Sequence, residues 1–148
     1  MRDDEDLVGK NAVDDIRFSD AKVLPRQAVI SLYRSLGWSS AEKPDALLAA
    51  LANSHAVVSA WDGSELVGLG NTLSDGHLVV NYPHLLVRPE YQGKGIGKRI
   101  VERLKANYDD IHMHILVSDE KAVAFFERAG FVKAGRTQSM WIYEGGEH

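Results

Sequence analysis

Apolar positions recur along most of the chain with one of two periods, and the switches between them mark out the elements. Residues 14–18 read as a short strand. Over residues 25–36, Ala28, Val29, Leu32, Tyr33 and Leu36 recur at helical spacing, with Pro25 suited to the first turn and Gly37 placed to end the helix. An exposed connection, Trp38-Ser39-Ser40, leads to a second helix carrying Leu47, Leu48 and Leu51. Two strands at residues 55–61 and 65–73 flank Asp62-Gly63, a strong hairpin signal, and a third strand runs over residues 78–87. Ile96, Ile100, Val101, Leu104 and Tyr108 then fall on one helix face, and residues 111–117 read as a buried strand. Ala122, Phe125, Phe126 and Ala129 mark another amphipathic helix, stopped at Gly130, and residues 131–137 and 140–143 read as two closing strands. The expected order is β-α-α-β-β-β-α-β-α-β-β, an α/β layered domain with a mixed sheet.

Composition narrows this picture. At 148 residues and 45% hydrophobic, the chain can bury one core, so residues 1–148 are expected to form a single domain, with residues 1–11 as a polar tail. With no cysteine there is neither a disulfide frame nor a thiolate nucleophile, and a cytoplasmic location is expected. No signal pattern and no apolar run near the roughly 18 residues of a membrane span occurs, so no membrane partner is expected. A net charge of −4 disfavours nucleic acid as a partner and leans towards a cation such as an amine.

The candidate chemistry lies between the third strand and the helix that follows. Gln92-Gly93-Lys94-Gly95-Ile96-Gly97-Lys98 can turn successive backbone N–H groups towards one point, and the helix N-terminus adds its positive dipole end, an arrangement suited to phosphate. Two commoner nucleotide loops fail on particular residues. A Walker loop ending at Gly97-Lys98 needs glycine where Gln92 stands and Ser or Thr where Arg99 stands. A dinucleotide fingerprint starting at Gly93 needs glycine at Lys98.

Gln92-x-x-Gly95-x-Gly97 after Leu85-Leu86-Val87 resembles the signature motif of the GCN5-related N-acetyltransferase (GNAT) family. The segment from Ala122 through Phe125-Phe126 to Gly130-Phe131 resembles that family's second conserved segment. The similarity spans roughly residues 57–143, and within the family it looks most similar to the plant and cyanobacterial arylalkylamine branch. The resemblance implies a GNAT fold whose sheet is splayed by a bulge near Leu85, Leu86 and Val87. It implies acetyl-CoA as cosubstrate, held by those three residues, by Gln92, Gly93, Lys94, Gly95, Ile96, Gly97 and Lys98, and by Asp119 and Phe126. It also implies direct acetyl transfer to a primary amine, with a small amine expected as acceptor. A protein lysine or N-terminus as acceptor and a non-catalytic acyl-CoA-binding module are the alternatives, and a homodimer is compatible with either.

Two departures from the family pattern bear on the chemistry. Phe126 stands where relatives often carry a tyrosine that protonates the departing thiolate, and Asp119 replaces an asparagine, though it can still cap the helix. An amine must lose a proton before attack, and His84, three residues before Val87, is the first candidate for the base. Tyr82, Asn81, Asp75 and His77 are weaker alternatives, and Trp38 and Tyr33 are candidates to line an acceptor pocket. His112 and His114 share a strand face but lack a third ligand, so no metal is expected. Lys94, Lys98, Arg99, Arg103 and Lys105 form a basic cluster, read as a solvated helix face beside the CoA phosphates.

Overall fold

The Asp62-Gly63 turn, with Gly63 at φ 60°, closes a hairpin between β2 (Ala56–Asp62) and β3 (Glu65–Ser74). In the computed structural model, which describes residues 15–145, this hairpin is the centre of a six-stranded mixed sheet. The short β1 (Arg17–Ser19) adds antiparallel to the outer edge of β2. On the other side β3 is long enough to pair with two short strands in succession, β4 (Val79–Asn81) and β5 (Leu85–Val87). β6 (Met113–Ile115) lies parallel to β4, the one parallel pair of the sheet. The proposed tail at residues 1–11 and the start of the first strand at Asp14 lie outside the described residues.

The expected third strand is therefore two strands, and the break between them shapes the molecule. From Gly70 opposite Leu85 to Leu73 opposite Asn81, β3 advances three residues while the facing chain takes four. The extra residue is a bulge at residues 82–84, just ahead of the expected position, and it contains Pro83, which has no N–H to give a ladder. Asn71 holds the bulge from β3: its backbone N–H donates to His84 O (3.2 Å) and its side-chain Oδ1 accepts the His84 N–H (3.0 Å). The Tyr82 N–H donates to Ile115 O, after which β5 stays with β3 and β6 has no pairing with it.

Helices cover both faces. α1 (Arg26–Ser35) and α2 (Pro44–Ala52) bury Leu32, Tyr33, Leu47 and Leu51 against Leu66, Leu69 and Leu86. On the opposite face α3 (Ile96–Lys105) buries Ile96, Ile100 and Leu104 against Val58, Val67 and Val80. α3 approaches β3 closely because Gly68 and Gly70 present no side chain there. A Cβ on Gly70 would lie 2.8 Å from Ile100 Cγ2 and 3.0 Å from Leu104 Cδ1. α4 (Val123–Arg128) is a short final helix.

Two expectations are overturned. Residues 131–137 and 140–143 form no strands. Gly135 has a positive φ of 65°, and Gly135 N–H to Lys133 O and Thr137 N–H to Ala134 O close local turns with groups that a ladder needs. Val132, Met140, Trp141 and Ile142 are consequently exposed. Nor is the 111–117 strand buried: with no strand beyond it among the described residues, β6 forms one margin of the sheet, and Met113 and Ile115 are nearly half exposed. Among the described residues no helix is long and apolar enough to cross a membrane.

Candidate active site

The loop after β5 is shaped by three local devices. The Gln92 side-chain Nε2 donates to Val87 O at 2.9 Å, folding the loop back on the strand end. Gly93 and Gly95 both take positive φ, 80° and 88°, which a side chain would strain, and Gly95 is the N-cap of α3. The first helical hydrogen bond is Arg99 N–H to Gly95 O, so the N–H groups of Ile96, Gly97 and Lys98 have no intrahelical acceptor. No acidic residue occupies the first turn of α3, leaving the positive dipole end uncompensated.

These groups line a cleft of about 1300 Å³ that runs from the loop between α3 and α4 to Leu85, Val87 and His114. Arg88 N–H bonds Val67 O and His84 O accepts from Asn71, so along β5 the even-numbered residues turn their polar groups to β3. The backbone groups of Leu85 and Val87 face the opposite way, into the gap from which β6 has diverged. Leu86 itself is buried on the far face of the sheet and lends no side chain. Of the other residues expected to bind CoA, Gln92, Gly93, Gly95, Ile96, Gly97 and Lys98 line the cleft, and Lys94 does not. The basic cluster divides: Lys98 and Lys105 face the cleft, whereas Arg99 and Arg103 lie over the Phe18 ring at 5.2 and 5.1 Å. Lys105 Nζ donates to Ala129 O and ties the end of α4. Lys121 and Arg128 add positive charge to the rim, a contribution that no sequence motif announced.

A second cavity, of about 690 Å³, adjoins the first and shares Leu85, Val101 and Ala122 with it. Trp38, Tyr82, His84, Phe126, Phe131 and the 139–141 segment line it. Phe126 thus sits on this second side, with its ring 5.9 Å from that of Phe131, while its neighbour Phe125 meets the first cleft beside Gly97. Asp119 also belongs to the second cavity, and its side chain accepts from Lys121 N–H at 2.9 Å, so it caps the short 3-10 turn at residues 120–122 and not α4, whose N-cap is Ala122 with no side-chain cap.

His84 lies at the centre of an aromatic cluster. Its Nδ1 is 2.7 Å from the hydroxyl of Tyr33, and the Trp38 ring meets both rings edge-on, at 5.1 Å from His84 and 5.8 Å from Tyr33. Tyr33 is completely buried, and burial holds its hydroxyl well above the ordinary phenol range. The weaker alternatives divide. Tyr82 hydrogen-bonds His114 Nδ1 at 2.8 Å, and burial raises its hydroxyl too. Asp75 accepts the N–H groups of His77, Leu78 and Val79, which lower its carboxyl to about 2, and it serves the turn between β3 and β4. Asp75, His77 and Asn81 line neither cavity. His114 is engaged by Tyr82, and no group of three or more His, Cys, Asp or Glu side chains among the described residues is placed to hold a metal ion. Asn71 is the site residue that sequence reasoning missed. Its signal was a polar side chain inside the apolar run of β3, where it is 4% exposed and also donates to Ser54 Oγ.

The splayed sheet, the glycine loop at a helix N-terminus and the helix after β6 agree with a family match. An acetyltransferase (GNAT) domain profile matches residues 21–141. The chain belongs to the GNAT acetyltransferase family. Its fold aligns with a GNAT-family acetyltransferase of Streptococcus pneumoniae at a TM-score of 0.76 and 28% identity, covering 88% of this chain and 99% of that one. In sequence it is 30% identical over 78 residues to a spermidine N(1)-acetyltransferase of Vibrio cholerae, covering 45% of each chain. It is 31% identical over 133 residues to histone acetyltransferase TAP1 of Glycine max, covering 80% of this GNAT chain and 57% of that protein. The chain thus spans about half the length of these two curated relatives.

Proposed function

We propose that this GNAT domain transfers an acetyl group from acetyl-CoA to the primary amine of a small molecule, by direct attack within a ternary complex. The observation that carries the reading is the gap between β5 and β6, which opens directly onto the N-terminus of α3. The unbonded N–H groups of residues 96–98, with Lys98, would hold a pyrophosphate. The outward backbone groups of Leu85 and Val87 would bind an extended chain of amides as an added strand does, and one N–H would face the thioester oxygen as charge develops. The donor site is therefore mostly main chain, consistent with the absence of a side-chain acid at Phe126.

The second cavity would take the acceptor, since it meets the donor cleft at Leu85 and Ala122 and has the volume of a small-molecule site. His84 is the ionisable side chain proposed to act at that junction. The test is thiol release from acetyl-CoA with a panel of polyamines, arylalkylamines, amino sugars and lysine peptides, alongside thermal shift with acetyl-CoA alone. Turnover with a small amine supports the reading, and turnover confined to lysine peptides transfers the acceptor to protein. A thermal shift with no thiol release from any amine would make the domain an acyl-CoA-binding module, the reading that Phe126 favours.

A further inference from the structure

We propose that Lys105 is a positioning residue for the transfer, clasping the C-terminal end of α4 to α3 and so setting the separation between the two walls of the first cleft. The inference rests on that cleft being the donor site proposed above, and it gives the lysine a role other than holding the CoA phosphates.

α4 depends on its contacts for its place. It has six residues, fewer than two turns, and none of them is buried. A helix this short has no stability of its own. Near its start the contact with α3 is apolar: the Phe125 ring lies against Gly97, where a Cβ would stand 3.4 Å from Phe125 Cζ. A ring resting on a residue without a side chain has little to stop it sliding. At the C-terminal end the contact is directional. Lys105 Nζ donates to Ala129 O at 2.7 Å in a part-buried setting, and lies 5.7 Å from the centre of the Phe131 ring. The carbonyls of Phe126 and Glu127 are taken by the N–H groups of Ala129, Gly130 and Phe131, which close the helix locally. The lysine satisfies a carbonyl beyond these, and its charge faces the negative end of the α4 dipole. Hydrogen bonds from a charged donor are the stronger kind, and a cation over an aromatic face adds to them.

Position separates this role from phosphate binding. Lys105 is the last residue of α3 and Gly97 is in its first turn. Eight residues of helix, about 12 Å, therefore lie between the lysine and the N–H groups proposed to hold the pyrophosphate. α3 meets the phosphates at one end and grips α4 at the other. What the grip controls is a shared wall. α4 turns Phe125 and Arg128 to the first cleft and Phe126 to the second cavity, and Ala122 at its start lines both. A swing of α4 about Ala122 would displace the thioester from the amine that must attack it, and a misplacement of about 1 Å can lower the rate by about 10².

Amide hydrogen exchange of the full chain, wild type against Lys105→Met, tests the clasp without any ligand, since methionine keeps the apolar stem. The amides of Ala129, Gly130 and Phe131 should exchange at least about tenfold faster in the variant while those of β2 and β3 are unchanged. Unchanged exchange at 129–131 overturns the inference. Faster exchange spread through β2 and β3 also overturns it, by making the lysine a support of the whole fold. A second arm measures the dissociation constant of CoA by calorimetry at about 0.1 M and about 0.5 M sodium chloride. Lys105→Met should bind CoA more weakly by the same factor at both. A factor that shrinks at the higher salt marks a lost phosphate contact and overturns the positioning role. In thiol release with whichever amine of the panel turns over, kcat should fall as KM for acetyl-CoA rises. A raised KM with kcat intact is the signature of a lost ground-state contact and overturns the inference as well. A wild type that neither binds CoA nor releases thiol counts against the proposed function, while the exchange result still decides whether Lys105 clasps α4.

Discussion

Replacing Gly70 with alanine tests the contact that sets α3 against the sheet. The added Cβ would stand 2.8 Å from Ile100 Cγ2 and 3.0 Å from Leu104 Cδ1, both on side chains with essentially no exposure, and 3.4 Å from the backbone oxygen of His84. Neither methyl can swing into solvent, and the backbone oxygen belongs to the bulge that Asn71 pins. The strain must therefore be relieved by lifting α3 or by driving a core side chain off its rotamer. Overpacking of this kind costs about 1–3 kcal/mol. For a chain of this size each kcal/mol lowers Tm by roughly 2–4 °C, so a fall of about 4–8 °C at mid-range is expected by calorimetry. Gly70→Ala combined with Ile100→Ala gives the sharper reading. Ile100→Ala alone should cost about 2–5 kcal/mol through the cavity it leaves, but it also removes the clashing methyl. The double variant should then be more stable than the sum of the two losses by about 1 kcal/mol or more. A Gly70→Ala protein that melts with the wild type, or additive losses in the double variant, would refute the claim that these glycines seat the helix. Because the N-terminus of α3 ends the proposed donor cleft, the same variant should also show a smaller thermal shift with acetyl-CoA.

Gly95→Val meets no neighbour within 4 Å but forces a branched side chain into φ 88°, a strain of roughly 1–2 kcal/mol, and it places a side chain where the phosphates would lie. The acetyl-CoA-dependent thermal shift should vanish in that variant, and an undiminished shift would remove the loop from the donor site. Tyr108→Phe deletes a hydroxyl that is 2.7 Å from His55 Nδ1 and 2.5 Å from Thr72 Oγ1, and with the ring 2% exposed it should cost about 1–3 kcal/mol in urea unfolding. Asp75 has its folded value depressed from 3.8 to about 2, so its stabilisation of the β3–β4 turn is complete above about pH 4 and is lost as pH falls towards 2. The Tm difference between the wild type and Asp75→Ala should accordingly narrow between pH 5 and pH 2, and a constant difference across that range would count against the turn.

What the sequence could reveal was governed by the range of the interactions involved. α1, α2 and the β2–β3 hairpin came close to expectation because their signals are local: a helical apolar stripe with Pro25 ahead of it, and Asp62-Gly63 between two strands. The glycine loop was legible for the same reason, since positive φ at Gly93 and Gly95 leaves glycine in the sequence. The break in the third strand was less so. Pro83 hints at it, but the bulge is fixed by Asn71 from another strand, and that pairing is visible only once β3 and β5 are aligned. Residues 131–143 failed for a related reason. Their β-branched and aromatic content favours strands, and β6 presents an edge beside them, but turns around Gly135 take up backbone groups that a ladder needs.

The division between the two cavities, proposed above as donor and acceptor sides, follows from two alternations that were present in the sequence but not interpretable there. Along β5, Leu85 and Val87 face the splayed gap while Leu86 packs beneath the sheet, so three consecutive residues expected to act together contribute in two directions. Along α4, successive rings diverge: Phe125 closes on Gly97 and Phe126 turns to Phe131. Their residue spacing makes α4 the wall between the two cavities, with Ala122 small enough at its start to let them meet. A hydroxyl on Phe126 would be carried on the side of the second cavity, the proposed acceptor site. Phe126→Tyr is therefore expected to change kcat without changing the thermal shift that acetyl-CoA produces. A changed shift with kcat unaltered would place that ring on the donor side instead, and the partition of the site by α4 would have to be abandoned.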